Sequence, residues 1–475
     1  MKLVWVVSGF FTGILLRSFV DFGWAMPGLI LLLGLACLCL RFIFEREQVY
    51  VLLATFLFAA SLGVARFEWD DANRDIMPVG NHAVVADEPD ERENSVRYIT
   101  KIGESRVLIV SRLSPKFKYG DRLSVLGKFE RVGDAYLNKD GVYYQVLFPK
   151  LSLVGEGDGN WLRAKLFAVK NWFSANIARL IAEPENALAG GLVLGAKQSL
   201  GKDLLDDFRN AGLIHMVVLS GYNITIVALS MMWFFGKFLS KRVSIIAGVI
   251  SILLFAVMVG GGATVFRASI MAILALLAQA TGRTSEISRA LVLAALLMVF
   301  INPKLLVFDI GFQLSFLATL GLIYLEPIIR PYFIRLPEKI LWMDFRKIAS
   351  ATIAAQLAVL PLILYTFGNF SLYAFPVNML VLPIVPTSML LVFLTGILFP
   401  IPIISLIAYP ISWLAYALLG YIISIVRLVS SLPFASLTFS SVPLALIIVM
   451  YIVIIYVVSL NHKKEQHLGV GPPSA

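Results

Sequence analysis

The stretch Ala211-Gly-Leu-Ile-His215-Met-Val-Val-Leu-Ser220-Gly-Tyr-Asn223-Ile-Thr225 runs without interruption into the apolar segment 226–235. Its reading decides the fold. The stretch puts a histidine, a serine-glycine pair and an asparagine at the start of what must be a membrane-embedded helix. In hydrocarbon such residues are costly unless they are paired or face water.

Working outward, hydrophobic residues make up 59% of the 475-residue chain against 15% charged, and the mean hydropathy is +0.84. Those values belong to polytopic membrane proteins and exclude a large soluble enzyme. Cys37 and Cys39 both lie in an apolar run and read as small packed hydrophobes, not as a metal or disulfide pair. Between Arg66 and Asn160 there are 14 Lys/Arg and 16 Asp/Glu, so the net +10 of the chain resides elsewhere, in the loops and tail around apolar spans. This is the positive-inside pattern, and only secondarily a nucleic-acid signal.

Apolar runs at about 3–16, 27–44 and 49–65 read as three spans ahead of the polar region. Nine more are drawn at about 213–236, 243–260, 263–281, 288–301, 307–325, 348–367, 375–399, 403–428 and 441–460. Lys237, Lys241, Arg242, Arg283, Arg289, the basic loop 330–347 and the tail at Lys463 and Lys464 then fall on one side. The opposite loops carry Lys304 alone. The expected fold is a polytopic α-helical membrane protein of roughly twelve spans with an inserted, small all-β, OB-like extracytoplasmic domain and a cytoplasmic C-terminus. The segments are 1–66 (three helices), 67–160 (β domain), 161–185 (amphipathic interfacial helix), 186–462 (transmembrane domain) and 463–475 (tail).

Within 67–160, alternating segments at 95–100, 106–111, 122–129 and 142–148 are separated by Gly, Asp, Asn and Pro. Phe117, Tyr119, Tyr136, Tyr143 and Tyr144 are available for stacking on single-stranded nucleic acid. The module's near-neutral charge does not favour that use, and the same aromatics suit the core of a structural or docking domain.

Chemistry is sought in the polar residues of the spans. His215 and Ser220 are five residues apart, about 140° around a helix, so they do not form a nucleophile and base. No H-x-H-x-D or H-E-x-x-H run provides metal ligands. Residues 195–203 lack the spacing and the Ser/Thr of a phosphate-binding loop. No catalytic residue, metal or cofactor is expected, and the chain reads as a non-enzyme. His215, Ser220 and Asn223 either line a wet passage or, for His215, satisfy an interfacial helix start. Arg267 either snorkels to the outer interface or faces a pore. Asp309 and Gln313 are four apart and share a helix face, with Ser315 nearby. Gln356 with Pro361, and Asn378 with Pro383 and Pro386, suggest helices broken near mid-membrane, as in transporters.

These residues resemble the competence domain of the ComEC family. The matching pieces are Ala187-Leu-Ala-Gly-Gly-Leu-Val-Leu-Gly195, residues 208–221, Phe266-Arg-Ala-Ser-Ile-Met271, residues 309–318, Phe367-Gly-Asn-Phe-Ser371 and Asn378-Met-Leu-Val-Leu-Pro383. Tyr119-Gly-Asp-Arg-Leu-Ser-Val-Leu-Gly127 looks like the family's outer OB-like module. The resemblance implies a channel in the bacterial cytoplasmic membrane that imports one strand of transforming DNA. It also implies an extracytoplasmic DNA receptor, a cytoplasmic ATPase and a separate nuclease as partners. The family commonly reads Ile-Ser-Gly-Leu-His where this chain has Leu219-Ser-Gly-Tyr-Asn223. The metallo-β-lactamase-like domain of many members does not follow before Ala475. The alternative reading is a transporter of a small molecule or lipid, and an intramembrane hydrolase is the least favoured.

Overall fold

A computed structural model of the chain describes all residues except 1, 44–46, 93, 133–136, 138, 196–199, 218–220, 261, 282–286, 335–343, 440–441 and 468–475. It is mostly helical, with an eight-stranded mixed sheet. Two compact units result, one of Met1–Ala164 with Arg289–Gln313 and one of Lys165–Ser288 with Leu314–Ala475.

Among the described residues, Gln48–Arg74, Lys241–Met258, Phe345–Phe367, Ser405–Ser430 and Leu444–Asn461 are long and apolar enough to cross a membrane. Two bent pairs, Ile310–Tyr324 with Glu326–Phe333 (45°) and Ala374–Val381 with Val385–Leu398 (47°), raise the number to seven. By length and composition the chain is therefore a multi-pass membrane protein. The apolar helices Val4–Phe19, Ala25–Leu40, Val265–Leu274 and Ile287–Ile301 are shorter, below the ~20 residues of an untilted span.

In the first unit the helices Lys2–Phe19 and Glu47–Arg74 meet through glycines. A Cβ at Gly9 would lie 2.3 Å from the Phe56 carbonyl oxygen, one at Gly13 2.0 Å from that of Ala60, and one at Gly63 2.3 Å from that of Phe10. Small residues let two backbones approach where no hydrophobic force separates protein from lipid. The helix Ala25–Leu40 packs on the same partner, and Ser61 Oγ donates to the Pro27 carbonyl at 2.8 Å. At 28 residues the helix Glu47–Arg74 is ~42 Å long, more than the ~30 Å hydrocarbon layer. The charged residues Glu68, Asp70, Asp71 and Arg74 all lie in its last turns.

The β module consists of β1 (His82–Val85), β2 (Asp90–Glu91), β3 (Val96–Ile102), β4 (Ser105–Ser111), β5 (Arg122–Leu126), β6 (Glu130–Arg131), β7 (Val142–Leu147) and β8 (Lys150–Gly155). The path runs β6-β7-β4-β3-β1-β5-β8, with β2 on β3. β4 and β7 are parallel and the other pairs antiparallel. Burial alternates along β3, the period-two signal that the sequence also carries. Only Phe148 and Pro149 separate β7 from β8, yet these strands pair near opposite ends of the path. Phe148 makes the bend at φ +47°. The sheet thus curls back on one core that includes Val85, Val96, Tyr98, Ile109, Leu123 and Val146.

The second unit is built around a core of Leu188, Leu192, Phe208, Val217, Val385, Val392, Leu419 and Ile422. The helix Trp161–Ala178, expected as an interfacial element, turns Phe167, Phe173 and Ile177 inward. Phe173 lies against Gly396 and the Phe393 ring of the helix Val385–Leu398, while Trp161, Val169 and Trp172 of the same helix stay exposed.

One of the two expected helix breaks is absent. Pro361 lies inside a continuous helix, Phe345–Phe367, whereas the 382–384 break contains Pro383 and is followed by Pro386 in the first turn of the next helix. The break at Leu325 was not anticipated. Pro327 opens the following short helix there, where a missing N–H costs little.

Candidate functional site

At the foot of the β module, within the first unit, charge is concentrated to a degree that an apolar chain must justify. Arg17 binds Glu68 in bidentate fashion (Nε to Oε1 2.5 Å, Nη2 to Oε2 3.3 Å). Asp70, 1% exposed, lies between Arg66 at 3.3 Å and Arg74 at 3.1 Å. Lys304 reaches Asp71 at 2.5 Å and sits 4.5 Å from the Tyr143 ring centroid. Tyr143 in turn donates its hydroxyl to Asp71 at 3.0 Å.

Asp309 and Gln313 belong to this region and do not form a shared polar face. Asp309 accepts the Phe312 amide at 2.9 Å as an N-terminal cap and the Lys139 ammonium at 2.7 Å. Gln313 donates to the Leu306 and Val307 carbonyls at 3.0 and 2.9 Å. It thereby satisfies the open C-terminal end of the four-residue helix Leu305–Phe308. Four-residue spacing on an assumed continuous helix misled here, because Asp309 has extended backbone and interrupts it.

The other polar residues lie in the second unit. Asn223 is buried and donates to the Leu192 carbonyl at 3.2 Å, one of the orphan acceptors ending the helix Glu185–Leu194. Next to it, Ile224 packs with Val265 and Ala268, so Asn223 and Arg267 stand on neighbouring helices, Gly221–Phe238 and Ala263–Thr281. Arg267 is half-buried. Its Nη1 donates to Thr319 Oγ1 at 2.8 Å and contacts Met271 Sδ at 3.6 Å, while Nε is buried without a hydrogen-bond acceptor. Thr319 Oγ1 donates to the Ser315 carbonyl at 2.9 Å. Arg267 and Ser315 are thus joined through Thr319, which the sequence reading passed over. The available signal was its position one turn after Ser315 on the same helix face.

Asn378 is 2% exposed with Oδ1 unpartnered, four residues before the bend at Leu382. Gln356 is half-buried on the unbroken helix. His215 is exposed in the short helix Ile214–Val217, and Ser220 lies outside the described residues. Among the described residues, no group of three or more His, Cys, Asp or Glu is placed to hold a metal ion.

Among the described residues, two of the five aromatics offered for stacking are buried. Phe117 is 6% exposed and packs edge-on against Tyr98, 5.8 Å between centroids, so it is core. Tyr143 is equally buried, against Lys304 and Asp71. Tyr144 packs partly onto the core. Tyr119 accepts the Asn160 amide at 3.0 Å with its ring against Gly159. Tyr136 lies outside the described residues. Alternation marks which face a strand residue takes but not which face is dry, so the sequence did not separate core rings from surface ones.

A family model described as "Competence protein" matches residues 192–464, more than half of the chain. ComE operon protein 3 of Bacillus subtilis (strain 168) is 20% identical over 309 residues, 63% of this chain and 38% of that protein. The chain therefore aligns with well under half the length of that relative. No solved structure matches significantly. With the matched region spanning Asn223, Arg267, Asp309, Gln356 and Asn378, the chain belongs to the Competence protein family.

Proposed function

We propose that this chain forms the path by which one strand of transforming DNA crosses the bacterial cytoplasmic membrane. The observation that carries the reading is family membership over residues 192–464. Arg267 gives it a physical focus. It is an intramembrane guanidinium held by a hydroxyl and a thioether, with no ion pair to a carboxylate among the described residues. An intramembrane cation so held is suited to a passing phosphodiester, because ionisable residues at such depth ordinarily mark a translocation path. Asn223, Ser315 and Asn378 supply neutral polar groups for the same path, with Ser220, His215 and Gln356 at its margins.

In this reading the shorter apolar helices tilt or pair to complete roughly twelve spans. The curled sheet is an OB-like module outside the membrane, and the C-terminus is cytoplasmic. The chain is a conduit and not an enzyme. An extracytoplasmic receptor delivers DNA, a cytoplasmic ATPase supplies work, and a separate nuclease removes the other strand. A transporter of a small solute or lipid is the second reading, favoured by the 47° break at 382–384, since broken helices build solute sites.

The test is uptake of labelled DNA in a deletion strain complemented with the wild-type chain or with Arg267→Ala. Wild type restores uptake, and the variant reduces it at least about tenfold at equal membrane abundance, about 1.4 kcal/mol or more. Uptake that persists without the gene would falsify the proposal.

A further inference from the structure

The ion pair Lys139–Asp309 joins two segments 170 residues apart in the chain, the loop before β7 and the turn that opens the helix Ile310–Tyr324. We infer that Asp309 and the turn 302–308 are a socket for the β module, with Lys139 as its plug. Asp309 thus serves positioning and not the DNA path.

Both ends of the pair are desolvated, Lys139 at 8% and Asp309 at 5% exposure. The two oxygens of Asp309 are committed to different partners: Oδ1 to the Phe312 amide at 2.9 Å and Oδ2 to Lys139 Nζ at 2.7 Å. The Lys139 backbone is gripped as well, since its carbonyl accepts Asn302 Nδ2 at 2.7 Å. Asn302 Oδ1 accepts the Lys304 amide at 3.2 Å, and Lys304 then reaches Asp71 beneath the Tyr143 ring. The module is therefore held at two points, Lys139 in its loop and Tyr143 on β7, by one short turn and the end of the helix Glu47–Arg74.

Burying an ion pair contributes little net stability, because desolvation offsets the attraction. Its use is specificity: the wrong register leaves a lone charge in a dry place, which is far more costly than a mismatched apolar contact. A pair buried at a junction therefore fixes one placement of the module against the first unit's helices. Both oxygens of Asp309 are committed, which argues against a place for its carboxylate on the DNA path.

The experiment uses the full chain in detergent and the variants Lys139→Met, Asp309→Asn, the double variant and Lys139→Arg. Asn at 309 retains an oxygen for the Phe312 amide, so the cap is preserved and only the charge is removed. Hydrogen exchange across 302–313 and 139–147 reports the latch without any reference to DNA. Each single variant should raise exchange at least about a hundredfold, the lower end expected when one partner of a buried pair is removed. The double variant should fall back to within about tenfold of wild type, and Lys139→Arg should remain near wild type.

Singles that exchange like wild type, or a double variant as exposed as the sum of the singles, would overturn the latch. If a single variant does not accumulate, recovery of the double to wild-type abundance supports the proposal, and its failure to recover overturns it. DNA uptake, which rests on the preceding reading, should follow the exchange: at least about tenfold down in the singles and recovered in the double. Normal uptake in singles with raised exchange overturns the positioning role. If the wild-type chain restores no uptake, the DNA reading fails and the exchange data still decide the latch.

Discussion

The closest backbone contact in the first unit makes a prediction of sign. Ala is favoured over Gly by about 1 kcal/mol in a helix interior, so Gly→Ala ordinarily stabilises. At Gly28, on the helix Ala25–Leu40, nothing lies within 4 Å of the added Cβ, and Gly28→Ala should gain about that amount. At Gly13 the same atom would sit 2.0 Å from the Ala60 carbonyl oxygen, 2.7 Å from its carbon and 2.8 Å from its Cα. All three obstacles are backbone, so no rotamer change relieves them. Restoring van der Waals distance requires the helices Lys2–Phe19 and Glu47–Arg74 to separate by about 1 Å, at an overpacking cost of about 1–3 kcal/mol or more. A separation of that size also weakens neighbouring dispersion contacts. The net expectation for Gly13→Ala is about 2 kcal/mol of destabilisation, opposite in sign to Gly28→Ala. Thermal unfolding of the purified chain in detergent measures both. A Gly13→Ala chain at least as stable as wild type would refute the close approach of these helices.

Thr319→Val keeps the shape but removes the oxygen that accepts Arg267 Nη1. Leaving that donor unsatisfied should cost about 1–3 kcal/mol and reduce DNA uptake, which Thr319→Ser should preserve. Phe117→Ala should destabilise the β module by about 3–5 kcal/mol, read as a lower unfolding midpoint, whereas a stacking platform would lose DNA affinity without melting. Burial raises the Asp140 carboxyl above its usual 3.8, with Asp309 adding to the rise and Lys139 and Arg106 opposing it. The folded chain then holds this proton more tightly than the unfolded chain. Its stabilising effect is complete below the ordinary value and is lost as pH rises through the raised one. Asp140→Asn should therefore raise the unfolding midpoint at neutral pH and flatten its pH dependence above the ordinary carboxylate range, and a lower midpoint would contradict this.

Much of the fold was legible because its causes are local. The helices Lys241–Met258, Ala263–Thr281 and Phe345–Phe367 lie within three residues of their expected bounds, since an apolar run long enough to span has few other places to go. β3 to β5 and β7 followed from alternation between turn residues. The site was less legible. Arg267 stood out because a charge in an apolar run is expensive anywhere, but its acceptor Thr319 was invisible until two helices 52 residues apart came together. Pro361 looked like a break and is carried inside a helix. Phe117 and Tyr143 suited either a stacking surface or a core, and the curl of the sheet and Lys304 bury them.

By itself the sequence determined the membrane class, the inserted β module and the family, because hydropathy, periodicity and ordered motifs are properties of short segments. Only the tertiary structure decided what Asp309 contacts. A carboxylate four residues before an amide reads the same whether it lines a pore or grips Lys139 across 170 residues of chain. The difference is the identity of a distant partner, and pairing over such a separation is set by how the whole unit packs.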